Sequence, residues 1–177
     1  MAMNLEDFDD LTLEGLIELT HDPYLPGFEQ LIPGLIDAYD AAEQPDPALF
    51  QPIETLRTWD MASGADSVAM TLAHFYGVNS VATGKAPEGL SQMERVNFYG
   101  AESPPADRLA VFAETVAMLD KDFGAWDTPW GEVNRFQRLS GDIDLKFYDE
   151  QPSVPIARGN SDWGAVAEFG SGRQEET

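Results

Sequence analysis

Residues 126–139 hold the side chains best suited to binding a ligand. A Thr-Pro step leads into Trp130, and Glu132, Asn134 and Arg135 follow within five positions. Carboxylate, amide and guanidinium groups pair with polar substrate atoms, and a tryptophan supplies a large apolar surface beside them. Trp130, Asn134 and Arg135 are therefore the candidate ligand-binding residues.

An extended conformation over the same residues would separate these side chains. If Val133–Phe136 is a strand, Glu132 and Asn134 point to one face, whereas Val133 and Arg135 point to the other. The three polar groups then cannot all contact one ligand. The structural alternative is that Arg135 pairs with an acidic group while the tryptophans seal a helical layer against a sheet. We favour this packing role over substrate contact.

Two other places offer residue types found in catalysis. His74 lies in a predicted helix, and the spacing suggests no activated Ser or Cys partner, so we expect a hydrogen-bonded, partly buried histidine. His21 is expected near a helix end, where the dipole favours it. Residues 159–163, around Ser161, have the composition of a serine processing site in the wrong order and are predicted to form a turn. No catalytic residue is assigned.

Composition excludes several classes of site and partner. The 177-residue chain has no cysteine and two histidines, which excludes thiolate and His-rich zinc sites. Its acidic residues are dispersed and form no calcium-loop motif, so no metal site or cofactor is predicted. The net charge of −22 repels phosphate and anionic lipid, which argues against nucleic acid and membrane partners. Neither a signal peptide nor a membrane-spanning run is recognisable.

The pattern predicts one domain that is mainly α with a few short β-strands. Residues 11–124 are predicted to be helical, residues 125–170 extended, and residues 171–177 a disordered tail. Apolar spacing and capping residues give the predicted helices, with a kink at Pro33 in the second: Leu13 to Thr20, Gly27 to Ala42, Pro47 to Trp59, an Asp66-capped helix to Gly77, Ser91 to Tyr99, and Ala106 to Phe123.

The predicted strands are Val133–Leu139, Ile143–Tyr148 and Ala165–Phe169, separated by prolines and a glycine. Strands this short and few cannot fill a sheet core or protect their own edges. We therefore expect a helical layer joined to part of a larger sheet.

Several motifs together resemble the penicillin acylase family. They are Leu56-Arg57-Thr58-Trp59-Asp60, Ala65–Ala69 with the helix that follows, Trp126–Leu139, Ser140-Gly141-Asp142-Ile143 and Pro152-Ser153-Val154-Pro155. The similarity extends from about residue 11 to residue 170 and is strongest to members that deacylate lipopeptides and acyl-homoserine lactones. The combination is more specific than any single motif.

This resemblance implies an N-terminal-nucleophile amide hydrolase with a four-layer αββα fold. In such enzymes the precursor cleaves itself, and the new amino-terminal Ser attacks the amide with its own α-amine as base. Backbone N–H groups and an Asn side chain stabilise the oxyanion. The part that this chain resembles is the C-terminal portion of the large subunit, so both catalytic groups would lie upstream of Met1. The family is usually exported to the periplasm or beyond, and its members may bind structural calcium.

Two hypotheses follow. In the first, the chain is part of an acylase whose remaining large-subunit segments and small subunit are its partners and whose substrate is a small-molecule amide, such as an antibiotic, a lipopeptide or an acyl-homoserine lactone. The chain alone would then be inactive. In the second, it is a free-standing acidic helical domain that binds a partner and catalyses nothing.

Overall fold

A computed structural model describes residues 12–15, 22–137, 148, 150–158 and 163, together with the backbone of residues 171–172. The structure is mainly helical, as predicted. The helices described over their whole length are α1 (Phe28–Asp40), α2 (Phe50–Arg57), α3 (Val68–Ala82), α4 (Gln92–Asn97), α5 (Pro105–Phe123) and α6 (Trp130–Val133). The strands are β1 (Asn134–Phe136), β2 (Val154–Pro155) and β3 (Ser171–Gly172).

Helix α1 lies at the centre of the helical layer, which we define as α1 to α5. Its buried side chains recur every three or four residues, as one apolar face of a helix requires: Phe28, Leu31, Ile32, Leu35, Ala38 and Tyr39. Pro33 lies inside the helix and is exposed, and the helix continues beyond it to Asp40. The kink predicted at this proline stays a prediction.

Two glycines allow α1 to approach the segment before α5. A Cβ atom on Gly34 would lie 1.7 Å from the carbonyl oxygen of Gly100, and one on Gly100 would lie 1.8 Å from that of Gln30. Gly100 belongs to a π-helical turn, Phe98–Glu102, that follows α4. The main chains of the two elements are therefore in direct contact, which a side chain at either position would prevent.

The predicted end of α3 is wrong. The sequence placed it at Gly77, but α3 continues to Ala82. Gly77 instead makes room for a ring, because a Cβ atom there would lie 2.2 Å from Cη2 of Trp163. The cap also differs by one residue from the predicted Asp66: the Ser67 hydroxyl accepts the N–H of Met70 at 3.1 Å.

The boundaries of the later helices agree better with those predicted from the sequence. Ser91 forms a capping box with Glu94, and α4 then ends at Asn97 rather than Tyr99 because the π-helical turn begins there. Helix α5 runs from Pro105 to Phe123, and Gly124 ends it with a φ of 86°. The positive φ is why glycine occupies this position.

The sheet differs from the predicted one in where its strands lie. β1 is central and pairs antiparallel with β2 and β3, so that Arg135 lies opposite both Pro155 and Ser171. β1 is shorter than the predicted Val133–Leu139, because residues 130–133 form a helical turn and Gln137 is already outside the strand.

The partner strands of β1 are in places where none was predicted. β2 lies in the proline-rich separator, and β3 lies in the predicted tail. Of the second predicted strand only Tyr148 is described, and it is not in a strand. The third predicted strand, Ala165–Phe169, lies outside the described residues.

Candidate functional site

The stretch singled out by the sequence forms the junction between the helices and the sheet. We define the junction as residues 130–137 with the chain that they contact at residues 148–158. Helix α6 is anchored to the loop before α3, since the N–H of Trp130 donates to the Ser67 carbonyl at 3.1 Å and that of Gly131 to the Ala65 carbonyl at 2.6 Å. A Cβ atom on Gly131 would lie 2.8 Å from Cβ of Pro155. The glycine therefore allows α6, the loop and β2 to meet.

Trp130 is buried, with 4% of its surface exposed. Its ring centroid lies 4.8 Å from that of His74 on α3. The indole Nε1 is buried and has no hydrogen-bond partner in the part of the chain that the structure describes. Trp130 thus packs the junction against α3 of the helical layer.

Asn134 is also buried, and its amide binds main chain. Nδ2 donates to the carbonyl oxygen of Ile156 at 3.0 Å and to that of Arg158 at 2.7 Å. The N–H of Ile156 in turn donates to the Asn134 carbonyl at 2.9 Å. The side chain therefore adds hydrogen bonds beyond the end of the short β1–β2 pair.

Arg135 binds a different part of residues 148–158. Its Nε donates to the Ser153 hydroxyl at 2.7 Å, Nη2 to the Ser153 carbonyl at 3.1 Å, and Nη1 to the Gly131 carbonyl at 2.9 Å. The exposed carboxylate of Glu132 lies 3.4 Å from Nη1. The guanidinium is thus directed at the main chain, with one carboxylate on its solvent side.

Gln137 belongs to this set, although it was not singled out from the sequence. It is 3% exposed. Its Nε2 donates to the carbonyl oxygens of Tyr148 at 3.0 Å and Gln151 at 3.1 Å, and its Oε1 accepts the N–H of Tyr148 at 2.8 Å. The signal that could have found it is its position two residues after Arg135, on the same side of an extended chain.

The strand-face argument holds for only two of the three polar groups. Glu132 lies in the helical turn of α6, so alternation between faces begins at Asn134 and the pairing of Glu132 with Asn134 on one face was wrong. Asn134 and Arg135 do bind different stretches of chain, residues 156–158 and residue 153. The donors described above are directed at other parts of this chain.

His74 matches its predicted environment. It is partly buried, and its Nδ1 accepts the indole N–H of Trp163 at 3.1 Å. A neutral imidazole that accepts at Nδ1 carries its proton on Nε2. Trp163 is itself buried, and its ring stacks on that of Phe28 with centroids 4.6 Å apart. This histidine therefore connects α3 to the chain between β2 and β3.

His21 and Ser161, the other candidates from the sequence, lie outside the described residues. Within the described ranges, no three side chains among His, Asp and Glu are grouped so that they could hold a metal ion. In the same ranges, the helices are too short or too polar to cross a membrane.

Comparison with known proteins gives a family match. No curated protein matched the chain. Among protein families, the one described as penicillin amidase matches residues 2–168. That match includes the helical layer and the junction, with all three candidate binding residues. The chain therefore belongs to the penicillin amidase family.

Proposed function

We propose that this chain forms part of an acylase that hydrolyses the N-acyl amide bond of a small molecule. The observation that carries the proposal is the family match over residues 2–168, a range that includes the helical layer and the junction. The parent fold would be the four-layer αββα arrangement, in which β1 to β3 extend a larger sheet. The substrate class is an antibiotic, a lipopeptide or an acyl-homoserine lactone, and the enzyme would act in the periplasm or outside the cell.

In this proposal the chemistry is supplied by other segments of the acylase precursor. An amino-terminal Ser would attack the amide carbonyl with its own α-amine as the base, and backbone N–H groups with an Asn side chain would stabilise the oxyanion. His74 does not take the place of that base, because its Nδ1 is occupied by Trp163.

Trp130, Asn134 and Arg135 would act by positioning the chain around the substrate. Asn134 and Arg135 together hold the chain at Ser153, Ile156 and Arg158. Trp130 would hold α6 against α3. A side chain that donates to main-chain carbonyls in this way fixes the geometry of neighbouring loops. Small displacements of catalytic groups lower the reaction rate by large factors.

The test begins with the DNA upstream of the Met1 codon. We expect an in-frame Gly-Ser-Asn-x-Trp segment, and the complete reading frame should hydrolyse a chromogenic acyl amide once it has matured. Changing the Ser of that segment to Ala should abolish turnover, while the 177-residue chain alone should show none. Turnover by the chain alone that is lost in Ser161→Ala would overturn the proposal.

The acidic binding domain makes the opposite prediction. It requires the 177-residue chain to be monodisperse and to unfold cooperatively, without an upstream acylase segment. A piece of a larger sheet should instead expose apolar surface and bind a hydrophobic dye before it melts. A thermal melt with such a dye distinguishes the two functions.

A further inference from the structure

A small cavity lies between α3 and α5, away from the junction. It has a volume of about 10 Å³, which is about the space that one water molecule needs. The polar and charged residues at its edge that bear on its chemistry are Tyr76, Ser80, Lys85, Tyr99, Asp107 and Arg108. A phosphate or sulfate is too large for this space, whereas a monatomic ion or a water molecule fits.

Most hydroxyl groups around the cavity donate a hydrogen bond to a main-chain carbonyl. The Ser80 hydroxyl donates to the Tyr76 carbonyl at 2.7 Å, that of Thr83 to the Ser80 carbonyl at 2.7 Å, and that of Ser103 to the Tyr99 carbonyl at 2.9 Å. The Tyr99 oxygen accepts the N–H of Ala86 at 3.1 Å.

The Tyr76 hydroxyl donates to no main-chain carbonyl of the described residues. It is fully buried and has no hydrogen-bond partner in the described part of the chain. Burial raises the pKa of Tyr76, and the neighbouring Ser80 hydroxyl, followed by the positive charge of Arg108, opposes that shift without cancelling it. The hydroxyl therefore stays protonated and presents a donor.

Arg108 adds further donors and a charge. It is 9% exposed, and three of its N–H groups donate to the Ser103 hydroxyl, the Ser103 carbonyl and the Gly34 carbonyl. A guanidinium has five N–H groups, so two remain. Among the described residues, no carboxylate oxygen lies within 4.0 Å of it. A buried cation is costly unless an opposite charge or good hydrogen bonds compensate it.

One anion would balance the charges of the side chains that line the cavity. The carboxylate of Asp107 is held by Lys85 at 2.9 Å, so this pair is neutral together and Arg108 leaves a net charge of +1. Tyr76 O–H and two N–H groups of Arg108 remain as donors, while the hydroxyl oxygens of the lining can still accept. One anion could accept from these donors and also neutralise the guanidinium, whereas a water molecule would leave that charge uncompensated.

We propose that this cavity binds one halide ion, chloride under ordinary conditions, between Tyr76 and Arg108. Bound chloride would neutralise the guanidinium where α1, α3 and α5 meet and would stabilise the folded helical layer. This holds whether or not the chain is part of an acylase.

The solution test measures thermal unfolding of the full chain while sodium chloride replaces sodium gluconate at constant ionic strength. Constant ionic strength is needed because any salt screens the self-repulsion of a chain with a net charge of −22. The melting temperature should rise and then saturate. At chloride ten times its Kd, the folded-to-unfolded ratio should rise roughly 11-fold.

Tyr76→Phe removes the donor and should abolish the saturable rise, leaving only the general salt effect. Tyr39→Phe is the matched control, because that hydroxyl donates to the Asp46 carbonyl outside the cavity, and it should keep the rise. Equal chloride responses in both variants and the wild type would overturn the proposal.

Crystals of the wild-type chain grown in sodium bromide give a second test that needs no variant. An anomalous difference peak is expected between the Tyr76 hydroxyl and the Arg108 guanidinium. An ordinary water without anomalous signal there would overturn the proposal. So would a bromide peak combined with no chloride dependence in solution, since this is binding at crystal concentration only.

Discussion

The helical layer and the junction bury their side chains for opposite reasons. In the helical layer the fully buried groups are mostly apolar, such as Phe28, Leu35 and Phe112. In the junction the buried groups include Asn134 and Gln137, whose amides bind carbonyl groups up to 24 positions away in sequence. The helices satisfy their own main-chain hydrogen bonds, whereas strands of two or three residues leave many unpaired. Polar side chains supply the missing partners, so the junction depends on hydrogen-bond geometry and the helical layer on packed volume.

The largest loss of stability should follow from removing a buried side chain of the helical layer. Phe112→Ala deletes a fully buried ring that meets Tyr76 edge to face, with centroids 5.6 Å apart. We expect a loss of about 3–5 kcal/mol in the free energy of unfolding, from lost transfer energy and the cavity left behind. Chemical denaturation measures it. The control Phe50→Ala alters a half-exposed ring and should change stability much less; equal losses would mean that burial does not hold this layer together.

An intermediate effect is expected from breaking the side-chain hydrogen bonds of the junction. Asn134→Ala leaves the Ile156 and Arg158 carbonyls without their donor, which should cost about 1–3 kcal/mol. Asn134→Asp should be worse than Ala, because it places a carboxylate against two carbonyl oxygens. Asn97→Ala is the control, since that amide donates to the carboxylate of the exposed Glu102. An Asp variant as stable as the wild type would contradict the hydrogen-bond account of the junction.

Alkaline pH offers a way to perturb the helical layer without a core mutation. The Tyr24 hydroxyl donates to the Glu29 carboxylate, and this hydrogen bond, followed by burial, raises the pKa of Tyr24 from 10.0 to about 12. Because the folded-state pKa is the higher one, the contribution is complete below pH 10 and is lost as the pH rises from 10 to about 12. Melting temperatures over this range should fall less steeply for Tyr24→Phe than for the wild type. Tyr148→Phe, which changes a half-exposed ring, should behave like the wild type.

The smallest effect should come from the ion pairs on the surface. Arg57 donates to both oxygens of Asp40, at 2.7 and 3.0 Å, and this pairing lowers the pKa of Asp40. The contribution is therefore present above the ordinary carboxyl pKa and lost as the pH falls through the lowered one. Arg57→Ala should lower the melting temperature only slightly, and the difference from the wild type should vanish at 1 M salt because exposed pairs are screened. A large, salt-independent loss would place Arg57 among the core interactions.

The sequence by itself determined the helical layer, the end of α5 and the family. Helical spacing of apolar residues is a local signal, and Gly124 is required by a local backbone conformation that glycine adopts without strain. The family motifs were readable for the same reason, since each is a short run of neighbouring residues.

Only the tertiary structure decided which groups of the chain the candidate binding residues contact. The partners of Asn134, Arg135 and Gln137 lie 11 or more positions away in sequence for most of their hydrogen bonds. Gly77 could be distinguished from a helix end only once Trp163 was seen to occupy the space beside it. Strands as short as β2 and β3 have no periodicity of their own and exist because β1 pairs with them. Long-range contacts of this kind leave no local pattern in the sequence, which is why the partners of these residues within the chain could not be predicted from it.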